Sequence, residues 1–152
     1  MSPAEKSATP ASGIFFARVL TGGLLFYYHG WHKAIEGYAY FSGQADHWPL
    51  MNEVAAAGFS NPLPLAVFAS IVQLLGGIFL VLGFCTRVTV LAVLGVMMGA
   101  VKTNLALHKE NQLALLYLTL LAITFLLGSG PLSLDARRRT KNHSTADQTT
   151  SK

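Results

Sequence analysis

At 152 residues the chain is one domain by length; 52% of it is hydrophobic and 12% charged, about half the charge of an average soluble domain. A soluble helical bundle would carry a polar face at every third or fourth residue, and four apolar stretches, at 14–32, 63–84, 88–107 and 112–129, carry none. The net charge of +4 does not indicate nucleic acid, because the run Arg137–Arg139 follows closely on a hydrophobic segment and reads first as a stop signal.

Crossing a bilayer core takes about 20 apolar residues in a helix. The sequence therefore predicts an all-α integral membrane four-helix bundle with the lipid bilayer as its first partner. Strand-type alternation is absent. Residues 1–13 read as a polar cytoplasmic tail with Pro3, Pro10 and Lys6, without a cleavable signal, so the first span acts as an uncleaved anchor. Within span 14–32, Arg18, Gly22, Leu25, His29 and His32 follow spacings of 4, 3, 4 and 3, which places them on one helix face, with Lys33 one turn beyond His29. Arg18 either snorkels to headgroups or fixes the bundle at its inner face; His29 and His32 are either interfacial or functional.

The loop Ala34–Pro62 is the one substantial extramembrane piece, and its stretch Ala45–Gly58 suits a short surface helix. Trp31, Trp48, Tyr27, Tyr28, Tyr38 and Tyr40 gather at that side, where aromatic rings favour the headgroup level. Asn61-Pro62 starts span two. Near its midpoint Gln73 reads as an interhelical hydrogen bond or, less readily, a ligand contact. Cys85, the single cysteine, excludes an intramolecular disulfide and reads as a packed small residue rather than a redox thiol.

Gly22-Gly23, Gly76-Gly77, Gly95 and Gly99 mark intrachain packing, with a homo-oligomer seam as the other reading. At the end of span three a regular helix would put Asn104 and His108 on one face and Lys102 on the other, toward Gly95 and Gly99. Asn111 precedes span four. Residues 136–152 read as a basic, then disordered, cytoplasmic tail. Eight of the eleven basic residues fall on the side of the termini, and Lys33, Lys102 and Lys109 on the other. The positive-inside rule then predicts a multi-pass protein of the bacterial inner membrane with both termini cytoplasmic.

Histidines His29, His32, His47 and His108 fall on the outer side, and only His143 in the tail. His29 and His108 arrive at one surface from different helices, where they could ligate haem or hydrogen-bond a quinone. The chain has no H-x-x-x-H within a span, no cysteine pair and no carboxylate cluster in the membrane, so no metal is indicated and haem is not favoured. The acids Glu36, Asp46, Glu53 and Glu110 read as solvated loop residues.

Several segments in order carry a resemblance: Arg18-Val19-Leu20, His29-Gly30 with Lys33, Gly58 and Pro62-Leu63-Pro64, Gln73-Leu74-Leu75-Gly76-Gly77, Leu82 to Arg87, His108 with Asn111, and Gly128 to Asp135. Over roughly 14–139 the chain resembles the DoxX family of small four-span bacterial membrane proteins, whose domain would cover 14–135. The resemblance implies a redox-linked membrane component, since the family name comes from a thiosulfate:quinone oxidoreductase subunit. Many relatives carry glutamate where this chain has Gln73, so a titratable proton is missing here. The expectation is an accessory protein or subunit of quinone- or thiol-linked redox metabolism, with a redox enzyme as partner. A quinone-like ligand would sit in the outer half among His29, Lys33, Gln73 and His108, with Arg18, Asn111 and Lys102 as structural polar residues. The alternative is a non-catalytic anchor or scaffold; a small transporter is a third reading.

Overall fold

The computed structural model describes residues 3–130 and 132–136, with side chains from residue 12 onward. Every regular element among them is helical: α1 (Pro3–Leu24), a π-helical segment (Leu25–Trp31), α2 (His32–Phe41), α3 (Pro49–Ala56), α4 (Pro62–Leu82), α5 (Thr86–Ala106) and α6 (Gln112–Leu127). The basic tail expected at 136–152, with His143, lies outside the described residues except for Ala136.

The first helix does not end with its apolar run. It continues through the π segment into α2, so the chain leaves helix only after Phe41. Charge at Lys33 and Glu36 ends the hydrophobic stretch, yet nothing there breaks a helix: proline is absent, and Gly37 packs under the Trp48 ring, where a Cβ would lie 2.9 Å from Cζ2. The π segment also alters which residues face inward. Its i→i+5 bonding takes more residues per turn than an α-helix. The shared face of Arg18, Gly22 and Leu25 is buried as the spacing predicts, and Lys33, one turn beyond His29, is half-buried, but His32 is exposed.

Helix α4 opens after Asn61 with Pro62 in its first turn, where the missing N–H costs nothing. It ends in a Schellman turn: Phe84 N–H donates to the Phe79 carbonyl (3.0 Å) and Gly83 N–H to that of Leu80 (3.2 Å). Gly83 adopts φ 66°, and a Cβ there would lie 2.5 Å from Arg18 Nη1, so both backbone and space require glycine. Cys85 is exposed on the following turn rather than packed.

The long helices touch in the cyclic order α1, α4, α5, α6 and back to α1. Leu25, Leu80, Val90, Val93, Met97, Tyr117 and Leu121 fill the space between them. Outside, large apolar side chains such as Phe16, Phe68, Met98 and Leu126 are exposed. Helices α4 and α5 are long and apolar enough to cross a membrane, and only 33% and 28% of their most apolar windows are buried. A soluble core helix would be mostly buried, and soluble monomers rarely expose apolar patches beyond a few hundred Å². This surface suits lipid.

In lipid the hydrophobic drive between helices vanishes, and close backbone contact carries their association. A Cβ on Gly22 would lie 2.8 Å from the Gly77 carbonyl oxygen, one on Gly30 2.7 Å from Leu74 Cα, and one on Gly76 2.6 Å from a Val93 methyl. These glycines join α1 and the π segment to α4, and α4 to α5. Gly95 and Gly99 do not act this way, because a Cβ on either would meet nothing within 4 Å.

Candidate functional site

Between α2, α3, α4 and α5 lies a cavity of about 190 Å³. Helix α3 presents Leu50, Glu53 and Val54 to it, residues spaced i, i+3 and i+4 along one face. Trp48 and Leu50 seat α3 against Ala66 of α4. Helix α4 contributes Leu65, Phe68, Ala69 and Gln73, and α5 contributes Gly95, Gly99, Thr103 and Asn104 among others. Glycines at 95 and 99 leave on α5 the space that side chains would fill.

Gln73 forms the deep end. It lies eleven residues into α4 after Pro62, roughly 16 Å along the axis at 1.5 Å per residue. Its side chain is 0% exposed, and neither Nε2 nor Oε1 has a hydrogen-bond partner among the described residues. The interhelical hydrogen bond expected for it is not formed. Each unpaired buried polar group costs about 1–3 kcal/mol, so this amide is held at a loss unless something in the cavity meets it.

Lys33, one turn beyond His29, lines the same cavity. Glu53, read from sequence as solvated, also lines it, and its Oε1 lies 3.0 Å from Lys109 Nζ. Lys102 is exposed and sits over the Phe59 ring, 4.8 Å from the centroid, at the edge of the cavity. Asn104 lines the wall and donates from Nδ2 to the Glu110 carbonyl (3.3 Å).

Of the four residues expected to form the site, Lys33 and Gln73 are thus brought together and the two histidines stand elsewhere. His29 lies against α6, its ring edge-to-face with Tyr117 at 4.8 Å between centroids, and its buried Nδ1 has no partner among the described residues. His108 is exposed at φ 53° in the turn after α5, which stops at Ala106. The face it would have shared with Asn104 therefore ends before it. Asn111 precedes α6, with a buried Oδ1 that has no partner among the described residues. Among the described residues no group of histidine, cysteine or carboxylate side chains could hold a metal ion.

At the opposite end, Arg18 is 1% exposed and donates to the carbonyls of Ser129 and Leu132, the latter at 3.1 Å. The Asp135 carboxylate accepts from the N–H groups of Cys85 (2.8 Å) and Thr86 (2.9 Å) and from the Thr86 hydroxyl (3.0 Å), capping α5. A carboxylate there also meets the positive end of the helix dipole. Asp135 N–H donates to the Gly83 carbonyl (3.1 Å). Together these contacts clamp the segment after α6 onto α1 and the α4–α5 turn.

No curated protein and no solved structure matches the chain. A family model, DoxX, matches residues 13–109, well over half the chain and every residue that lines the cavity. That family is a membrane family, in agreement with the exposed apolar faces of α4 and α5. On this match, the chain belongs to the DoxX family.

Proposed function

We propose that this chain is a multi-pass inner-membrane component of quinone- or thiol-linked redox metabolism. In this reading it holds a quinone-like ligand in the outer half of a four-helix bundle whose termini are cytoplasmic. The distribution of basic residues supports the orientation: Lys33, Lys102 and Lys109 lie at the α3 end, Arg18 and Arg87 at the opposite end, and in the sequence the other six fall before the first span or after the last.

The observation that carries the reading is the Gln73 amide, fully buried and without a hydrogen-bond partner among the described residues, in the lining of a mostly apolar cavity. A few placed polar groups in an apolar pocket are the usual makings of a small-molecule site. Gln73 Nε2 would donate to a ligand carbonyl, and Oε1 would accept from a ligand hydroxyl. Lys33 would favour negative charge on a ligand oxygen nearer the mouth. His29 and His108 do not line the cavity and have no direct part. Purification in mild detergent followed by extraction of bound lipids tests this. A co-purifying quinone that is lost in Gln73→Leu supports the reading; no quinone in the wild type, with no binding of added quinone, overturns it.

A non-catalytic scaffold is favoured by a different observation. Helix α2 carries exposed Ile35, Tyr38 and Phe41 beyond the apolar run, a surface suited to a partner enzyme. Crosslinking separates the readings: a stoichiometric partner lost on replacing Ile35, Tyr38 and Phe41 by serine, with quinone binding retained, supports the scaffold.

A further inference from the structure

The cavity is too small to enclose a membrane-resident ligand. Pockets that swallow a drug-sized molecule run to about 300–1,000 Å³, and this one measures about 190 Å³. It is also open at the side. Phe68 and Leu65 line it and are exposed on the outer surface of α4. Facing them on α5, Gly95 is exposed and Gly99 half-buried, and neither has an atom within 4 Å of where its Cβ would be. The cavity that Gln73 lines thus meets the lipid-facing surface at a gap over Gly95 and Gly99.

We propose that the pocket takes only the polar head of a chain-bearing lipid, which enters sideways from the bilayer and leaves its apolar chain in the gap over Gly95 and Gly99. The proposal rests on Gln73 being the ligand-binding floor. A second copy of this chain is the other candidate for a Gly-x-x-x-Gly surface. A helix is about 10–12 Å across with its side chains; it would cover the gap without reaching Gln73 and leave that amide unpaired. A polar head on a narrow chain fills both.

In lipid nanodiscs, wild type, Gly99→Leu and Gln73→Leu are titrated with a decyl-substituted benzoquinone and with the same ring carrying methyl in place of decyl, read by tryptophan quenching. Partition into the bilayer is common to all variants, so the ratio of variant to wild type reports the protein alone. Gly99→Leu is expected to weaken the decyl probe about tenfold or more and the methyl probe less than about twofold. Gln73→Leu weakens both. Gly95→Ala, which adds one methyl to open space and keeps the fold, weakens the decyl probe alone by a smaller factor. Equal effects of Gly99→Leu on both probes, or none, overturn the lateral chain while leaving the Gln73 floor standing. Retention of both probes by Gln73→Leu overturns the floor itself. If Gly99→Leu instead dissolves a crosslinkable dimer and leaves both probes bound, the gap belongs to a second copy and the proposal fails.

Discussion

The guanidinium of Arg18 donates to the carbonyl of Leu132, 3.1 Å away and 114 residues along the chain. With Ser129 as its second acceptor, it joins the first helix to the segment after the last. Hydrogen bonds from a charged donor contribute about 1.5–3 kcal/mol each. Arg18→Ala should therefore lower stability by about 3 kcal/mol or more, and Arg18→Lys, which keeps one donor direction, by less. Unfolding in a graded detergent mixture measures both.

Glycines of one sequence type should respond with opposite sign. Gly22→Ala pushes a Cβ against the backbone of α4, 2.8 Å from the Gly77 oxygen and 2.9 Å from Val81 N, so the two helices must part. A loss of about 1–3 kcal/mol is expected, as for overpacking elsewhere. Gly95→Ala meets nothing and removes a flexible residue from a helix interior, a gain of roughly 0.5–1 kcal/mol. Thermal unfolding of the two variants side by side checks the contrast.

Those two glycines also show what the sequence could and could not reveal. Spacing identifies a small-residue face but not whether another helix lies against it, as α4 does at Gly22 and no helix does at Gly95 among the described residues. Starts of α4 and α6 are legible to within a residue because Asn61-Pro62 and Asn111 interrupt the apolar runs. The extension of the first helix to Phe41 is hidden, since polarity and helicity part company after Trp31. The π segment has no compositional mark, so the loss of His32 from the inner face is invisible, whereas Lys33, one turn beyond His29, is legible as facing inward. Gln73 stands out as the lone amide in span two, but its lack of a partner is a property of the packing. Glu53 could have been found from the Leu50, Glu53, Val54 spacing of a short helix. His108 misleads because the reading assumes a regular α5, and the helix stops two residues before it.

The ligand's oxidation state should matter. Among the described residues neither the donor nor the acceptor of Gln73 is filled. A quinone offers only acceptors, whereas a hydroquinone offers hydroxyl groups that both donate and accept. One additional neutral hydrogen bond contributes about 1 kcal/mol, so the reduced decyl ring should bind roughly fivefold tighter than the oxidised one. Anaerobic titrations of the wild type with each form measure the ratio, and equal binding of the two forms would contradict the pairing of both Gln73 groups with the ligand.

Gln73→Leu offers the sharpest reading, because the pocket assignment gives stability and binding opposite signs. Removing two desolvated polar atoms and leaving an apolar side chain of similar size should raise the unfolding temperature of the unliganded protein, corresponding to about 1–3 kcal/mol. The same change should abolish the upward shift that decyl hydroquinone produces in the wild type. Thermal unfolding of both proteins, with and without that ligand, gives all four values. A more stable variant that no longer responds to ligand is the expected result. A destabilised variant whose unfolding temperature still rises with ligand would mean that Gln73 serves packing alone.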